Sequence, residues 1–95
     1  MRTTFLVCYD VTDDKRLRRA FKTCRNFGDH LQYSIFECDL SPTEKIELES
    51  ALSEIINQDE DQVLFVPICA KCVNQIEAIG RPTEAADAKD VVVVV

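Results

Sequence analysis

Glycine and proline are scarce in this chain of 95 residues, numbering two and three. Two glycines cannot build a Gly-rich phosphate loop, and so few breakers imply regular structure joined by tight connections. There is a single histidine, His30, and no Ser-His or Cys-His pair can be assembled around it for nucleophilic catalysis. It reads as a partly exposed residue at a helix-to-strand turn. No apolar run approaches the roughly 20 residues that span a bilayer. Met1-Arg2-Thr3-Thr4-Phe5 enters a strand pattern at once, so no signal peptide and a cytoplasmic location are expected. The five cysteines are an odd number and three interrupt apolar runs, which points to buried, reduced thiols rather than a disulfide framework. The hydrophobic fraction of 46% excludes bulk disorder. One domain of this size buries only about 60–65% of its unfolded surface, so a partner surface would help it.

The net charge of −6 argues against nucleic acid if taken as a bare count. Its distribution argues the other way. Lys15, Arg16, Arg18, Arg19, Lys22 and Arg25 fall in one window without an acid, while acids gather mainly between Glu37 and Asp61. A solvated face would carry mixed charge; a face of one sign fits phosphate contact that is insensitive to sequence. No aromatic residue is interleaved on that arc, so base stacking is not indicated there.

Residues 3–9 form a near-continuous apolar run, the pattern of a central strand buried on both faces, ending at Asp10. Thr12, Asp13 and Asp14 offer N-cap and first-turn acids for a helix whose apolar stripe is Leu17, Ala20, Phe21, Cys24 and Phe27, with Gly28 at the C′ position. Leu31 to Leu40 is strand-like, either one bent strand or two short ones broken near Tyr33-Ser34. Ser41-Pro42-Thr43-Glu44 is a capping box with proline at the first helical position. It opens a helix with Leu48, Ala51, Leu52, Ile55 and Ile56 inward and Glu44, Glu47, Glu49 and Glu54 outward. After the acidic turn from Asn57 to Gln62 comes a strand, Val63 to Ile68, with Pro67 marking an edge or a bulge. Cys72 to Ile79 could be a further strand. Residues 81–95 read as a linker ending in five valines, Val91 to Val95, expected to add as a strand to an edge of this chain's own sheet, a dimer mate's or a partner subunit's. The order predicts an α+β fold: a ferredoxin-like βαββαβ sandwich over residues 1–80 with an added strand.

Asp10 is the informative candidate. A carboxylate directly after a buried strand stands at the sheet's carboxyl edge, and hard cations such as Mg²⁺ bind through one or two carboxylates with water and phosphate oxygens. The alternative is a plain turn residue at a helix start. One Asp per chain is thin for metal catalysis, and a two-fold dimer would supply a second. Cys69-Ala70-Lys71-Cys72 lacks the second pair that structural zinc requires, unless a dimer completes four thiolates. A redox role wants a preceding strand and a following helix start, and the residues after this motif look strand-like, so two structural cysteines near a strand end is the reading preferred.

Tyr9-Asp10-Val11, Asp13-Asp14-Lys15-Arg16 and Arg18-Arg19, then Gly28 to Glu37, then Asp61 to Ile68, together resemble the small CRISPR-associated spacer-acquisition family, Cas-two, over residues 1 to about 80. The resemblance implies a ferredoxin-like fold in a two-fold homodimer, with the last strand crossing to the partner's sheet. It implies a metal-dependent endonuclease acting on RNA or DNA, and a scaffold for the integrase subunit, Cas-one, that captures foreign DNA as new spacers. It carries the family's metal ligand onto Asp10 and its middle-motif Ser and Phe onto Ser34 and Phe36. Where the family often has Arg or Lys after the Gly-x pair, this chain has His30.

Three functions follow. In the first, two Asp10 carboxylates face each other across the dimer axis and hold one Mg²⁺ for phosphodiester hydrolysis, with Ser34 and Phe36 in the catalytic set. In the second, Lys15, Arg16, Arg18, Arg19 and Lys22 grip duplex DNA in a non-catalytic scaffold. The third is a toxin-type endoribonuclease of similar fold. Single-stranded RNA remains an alternative substrate, and no membrane partner is expected.

Overall fold

A computed structural model describes residues 1–80 together with Val93 and Val94. The chain runs β1 (Thr3–Asp10), α1 (Asp14–Arg25), β2 (Asp29–Gln32), β3 (Ile35–Leu40), α2 (Pro42–Ile55), β4 (Gln62–Ile68), α3 (Ala70–Val73), β5 (Ala78–Ile79) and β6 (Val93–Val94). Four strands form an antiparallel sheet in the order β2-β3-β1-β4, the ferredoxin-like arrangement expected from the sequence.

Local signals start both long helices where the sequence places them. Asp13 caps α1, its Oδ2 accepting from the Arg16 backbone N–H at 3.0 Å. In α2 the Ser41 hydroxyl accepts from the Glu44 N–H at 3.1 Å, and Glu44 accepts from the Ser41 N–H at 2.9 Å. Both helices close the same face of the sheet, because the core joins Phe5, Val7 and Tyr9 of β1 and Phe36, Cys38 and Leu40 of β3 to Ala20 and Cys24 of α1 and Leu48 and Leu52 of α2.

The central strand is therefore not buried on both faces. Along β1, Phe5, Val7 and Tyr9 are buried, while Leu6 and Cys8 are half-buried and Asp10 is exposed. By strand alternation, Leu6, Cys8 and Asp10 face away from the helices. On β4, Leu64 and Val66 lie opposite Cys8 and Leu6 and are 49% and 42% exposed. This leaves an apolar sheet face that no helix of the described residues covers.

Of the two readings of residues 31–40, the structure adopts the pair of strands. Tyr33 and Ser34 turn between Gln32 and Ile35, and Tyr33 takes a positive φ of 42°, a conformation glycine or asparagine more often fills. That substitution hid the hairpin from a search for glycine. Gly28 is needed for a different reason from the one expected. Its φ is not positive; instead, a Cβ there would sit 2.3 Å from the Glu37 carbonyl oxygen and 2.6 Å from the Cys38 sulfur. Close approach of β3, rather than helix-cap handedness, requires glycine.

Pro67 sits on β4, an edge strand of the four-stranded sheet, as its missing N–H demands. The expectation of a strand from Cys72 to Ile79 is corrected. Cys69 is extended, a short helix follows from Ala70 to Val73, and only Ala78–Ile79 is strand. The N–H groups of Val73 and Asn74 bond back to the carbonyls of Cys69 and Ala70, and Val73 is buried, which anchors the turn. Val93 and Val94 pair in parallel with Ala78 and Ile79 in a separate two-stranded sheet. The expected linker and the remaining valines lie outside the described residues.

Candidate functional site

β1 ends at Asp10, which pairs in register with Gln62 at one end of the sheet. The β2–β3 turn reaches the same end, where the Ser34 carbonyl accepts from the Tyr9 N–H at 3.0 Å. Asp10 and Ser34 are thus gathered within a residue of each other by the pairing of β1 with β3. Tyr9 is held from below: its ring stacks on Phe36 with centroids 6.2 Å apart. Burial pushes the Tyr9 phenol up to about 12, the Cys24 charge adds to this, and a hydrogen bond with Ser34 opposes it.

Phe36 does not reach the surface. It is fully buried and also meets the rings of Phe21 and His30, at 5.3 and 5.0 Å. Phe36, expected in the catalytic set, packs in the core beneath Tyr9. His30 is half-buried in β2, with Nε2 2.7 Å from the Tyr33 carbonyl and its ring against Phe21. It packs within the fold, its ring also against Phe36.

The basic helix resolves into two parts. Lys15, Arg18, Arg19 and Lys22 are exposed at spacings of three and four, one stripe of α1, and none forms an ion pair among the described residues. Arg16, expected in the same set, is ion-paired within the fold. Its Nε lies 2.8 Å from Asp61 Oδ2, and its Nη2 contacts Asp61 Oδ1, Glu60 Oε1 and the Thr12 hydroxyl at 3.2–3.3 Å. Asp61 also accepts from the backbone N–H groups of Thr12 (3.0 Å) and Asn57 (2.8 Å), and its side chain has no exposed surface. The Arg16 guanidinium and these amides hold the Asp61 carboxyl far below the usual carboxylate range. Sequence reading places Asp61 in a family motif but misses its partner, because 45 residues separate them. The available signal was an acid immediately before a strand, opposite a basic first helical turn.

The stripe and Asp10 occupy different sides of the molecule, since α1 packs on one sheet face and Asp10 alternates onto the other. Among the described residues of one chain, no group of three or more His, Cys, Asp or Glu side chains is arranged to hold a metal ion. No helix among them is long and apolar enough to cross a membrane.

This arrangement matches known proteins. Residues 1–76 fit the family model for CRISPR associated protein Cas2. A CRISPR-associated endoribonuclease Cas2 of Desulforudis audaxviator is 39% identical over 88 residues, covering 87% of this chain and 83% of the relative. One from Geobacter sulfurreducens is 41% identical over 68 residues, covering 72% of each. The crystal structure of Streptococcus pyogenes Cas2 superposes with a TM-score of 0.74 at 32% identity, covering 81% of this chain and 99% of that one. On sequence over most of its length and on the sheet order that sequence produces, the chain belongs to the CRISPR associated protein Cas2 family.

Proposed function

We propose that this chain is a CRISPR-associated endonuclease and spacer-acquisition protein that acts as a two-fold homodimer on nucleic acid. The observation that carries the reading is the position of Asp10, exposed at the end of β1 on the sheet face that no helix of the described residues covers. A second copy laid on that face would shelter Leu6, Cys8, Leu64 and Val66 and set two Asp10 carboxylates across the axis. The name endoribonuclease carried by the relatives supports cleavage of RNA.

The described residues of one chain alone do not gather three or more metal-ligating side chains, but two Asp10 carboxylates match the one or two that Mg²⁺ takes alongside water and phosphate oxygens. Asp10 of each chain would hold the ion, which when bound polarises the phosphodiester and lowers the pKa of an attacking water. The chain's own residues position this carboxylate. The Ser34 carbonyl fixes the Tyr9 backbone, and the Phe36 ring supports Tyr9 from the core. Lys15, Arg18, Arg19 and Lys22 bind phosphates of a nucleic acid without reading its sequence.

A scaffold role beside the integrase subunit, Cas-one, is a second reading with its own support. The basic stripe lies on the opposite side of the sheet from Asp10, where it serves duplex DNA independently of cleavage. Asp10→Asn separates the two. With purified protein and single-stranded RNA, Mg²⁺-dependent cleavage is expected to be lost while dimerisation and duplex binding persist. Cleavage that persists in the variant overturns the nuclease assignment at Asp10 and leaves the scaffold.

A further inference from the structure

The sequence argues against a redox role for Cys69-Ala70-Lys71-Cys72 because no helix start is visible after it, and the folded chain removes that objection. β4 ends at Ile68, Cys69 is extended with φ −80° and ψ 162°, and Ala70 opens the helical turn of α3. Cys69 and Cys72 are consequently neighbours three residues apart on one side of a turn. Their sulfurs lie 3.4 Å apart and both residues are exposed. A disulfide needs about 2.05 Å between sulfurs, so a modest side-chain rotation closes the gap.

We propose that Cys69 and Cys72 form a dithiol–disulfide site that exchanges with low-molecular-weight disulfides, Cys69 attacking and Cys72 resolving. Backbone N–H groups directed at the Cys69 sulfur and the hydrogen bond between the two thiols hold the Cys69 thiol below the ordinary value, while that same hydrogen bond and the Cys69 charge raise Cys72. The other three cysteines are not equivalent. Cys24 and Cys38 are buried and burial pushes each up to about 12; Cys8 is half-buried and also raised by burial. Only the pair after β4 combines access, proximity and thiolate character.

With glutathione disulfide as oxidant, the Cys69 thiolate attacks one glutathione sulfur, the glutathione S–S bond breaks and one glutathione thiolate leaves. The Cys72 thiol gives up its proton and attacks the Cys69 sulfur, the bond from Cys69 to glutathione breaks, and the second glutathione thiolate departs. The chain loses two electrons and two protons, and the disulfide becomes two glutathione thiols.

The site is separate from Asp10. Ile68, next to Cys69, pairs with Thr4, while Asp10 lies six residues along β1, about 20 Å at the rise of an antiparallel strand. Its failure therefore leaves the nuclease proposal untouched, and the reverse holds.

The test incubates the full native chain in glutathione redox buffers near neutral pH, then counts free thiols and maps linked peptides by mass spectrometry. The thiol count is expected to fall by two from five, with Cys69 joined to Cys72 in the same chain. Cys72→Ser is expected to keep glutathione on Cys69, and Cys69→Ser to react about tenfold more slowly. Five reduced thiols across the whole range of buffers would overturn the proposal. So would links between chains, equal behaviour of the two single variants, or Zn²⁺ bound by the full chain so tightly that it prevents oxidation, which would make the pair a soft-metal site.

Discussion

The guanidinium of Arg16 reaches across the molecule to the carboxylate of Asp61, Nε to Oδ2 at 2.8 Å, and ties the first turn of α1 to the residue that precedes β4. The Arg16 side chain is 23% exposed and the Asp61 side chain is shielded completely. The pair is a fastening of the fold, although its sequence neighbours are exposed cations suited to nucleic acid.

Asp61→Asn is expected to lower the thermal midpoint by on the order of 10 °C, since a domain of this size shifts several degrees per kcal/mol. Because the folded carboxyl is held below its unfolded value, its contribution is complete above the unfolded pKa, about 3.9, and is lost as pH falls through the folded one. The stability difference between the wild-type chain and the variant should be flat above about pH 5 and shrink below about pH 4. Denaturant unfolding followed across that range checks both the size and the sign.

Arg19→Ala with Lys22→Ala is expected to weaken binding to unrelated duplexes to a similar extent and to leave the fold intact, because both side chains are exposed. The slope of log affinity against log salt should flatten by about 0.9 for each phosphate contact removed. Arg16→Ala is the contrasting variant: its main effect should be a lower thermal midpoint. An unchanged salt slope in the double variant would reduce the stripe to a solvated face.

Leu64→Lys places a charge on the edge strand β4, opposite Cys8, on the sheet face that no helix of the described residues covers. Burying an unpaired charge costs several kcal/mol, so the variant should fail to form the proposed dimer at concentrations where the wild-type chain is expected to pair, with its folded circular dichroism spectrum retained. Sedimentation velocity reads the outcome. If cleavage requires Asp10 from two chains, it should fall with the dimer; a fully active monomer would defeat the shared-site reading.

The parts of this protein legible in sequence are those fixed by residues within a turn or two of one another. Asp13 caps α1 through Arg16, and Ser41 and Glu44 cap each other, so both helix starts are written locally. The apolar stripe of α1 and the run of β1 follow from periodicity alone, and their order restricts the fold to the ferredoxin-like sandwich. Asp10 was legible for the same reason, as the polar residue that ends an apolar strand. Packing between distant segments decided the rest. Phe36 becomes core because the turn at Tyr33 brings β3 between β2 and β1, and Arg16 becomes a fastening because β4 delivers Asp61 to it. Gly28 is required by the approach of Glu37 and Cys38, not by its own backbone angle. The turn after β4 is helical, with Val73 buried, and it brings Cys69 and Cys72 together. A local pattern sets what a segment can become, but the side chains that meet it from far along the chain set which of its residues remain free to act.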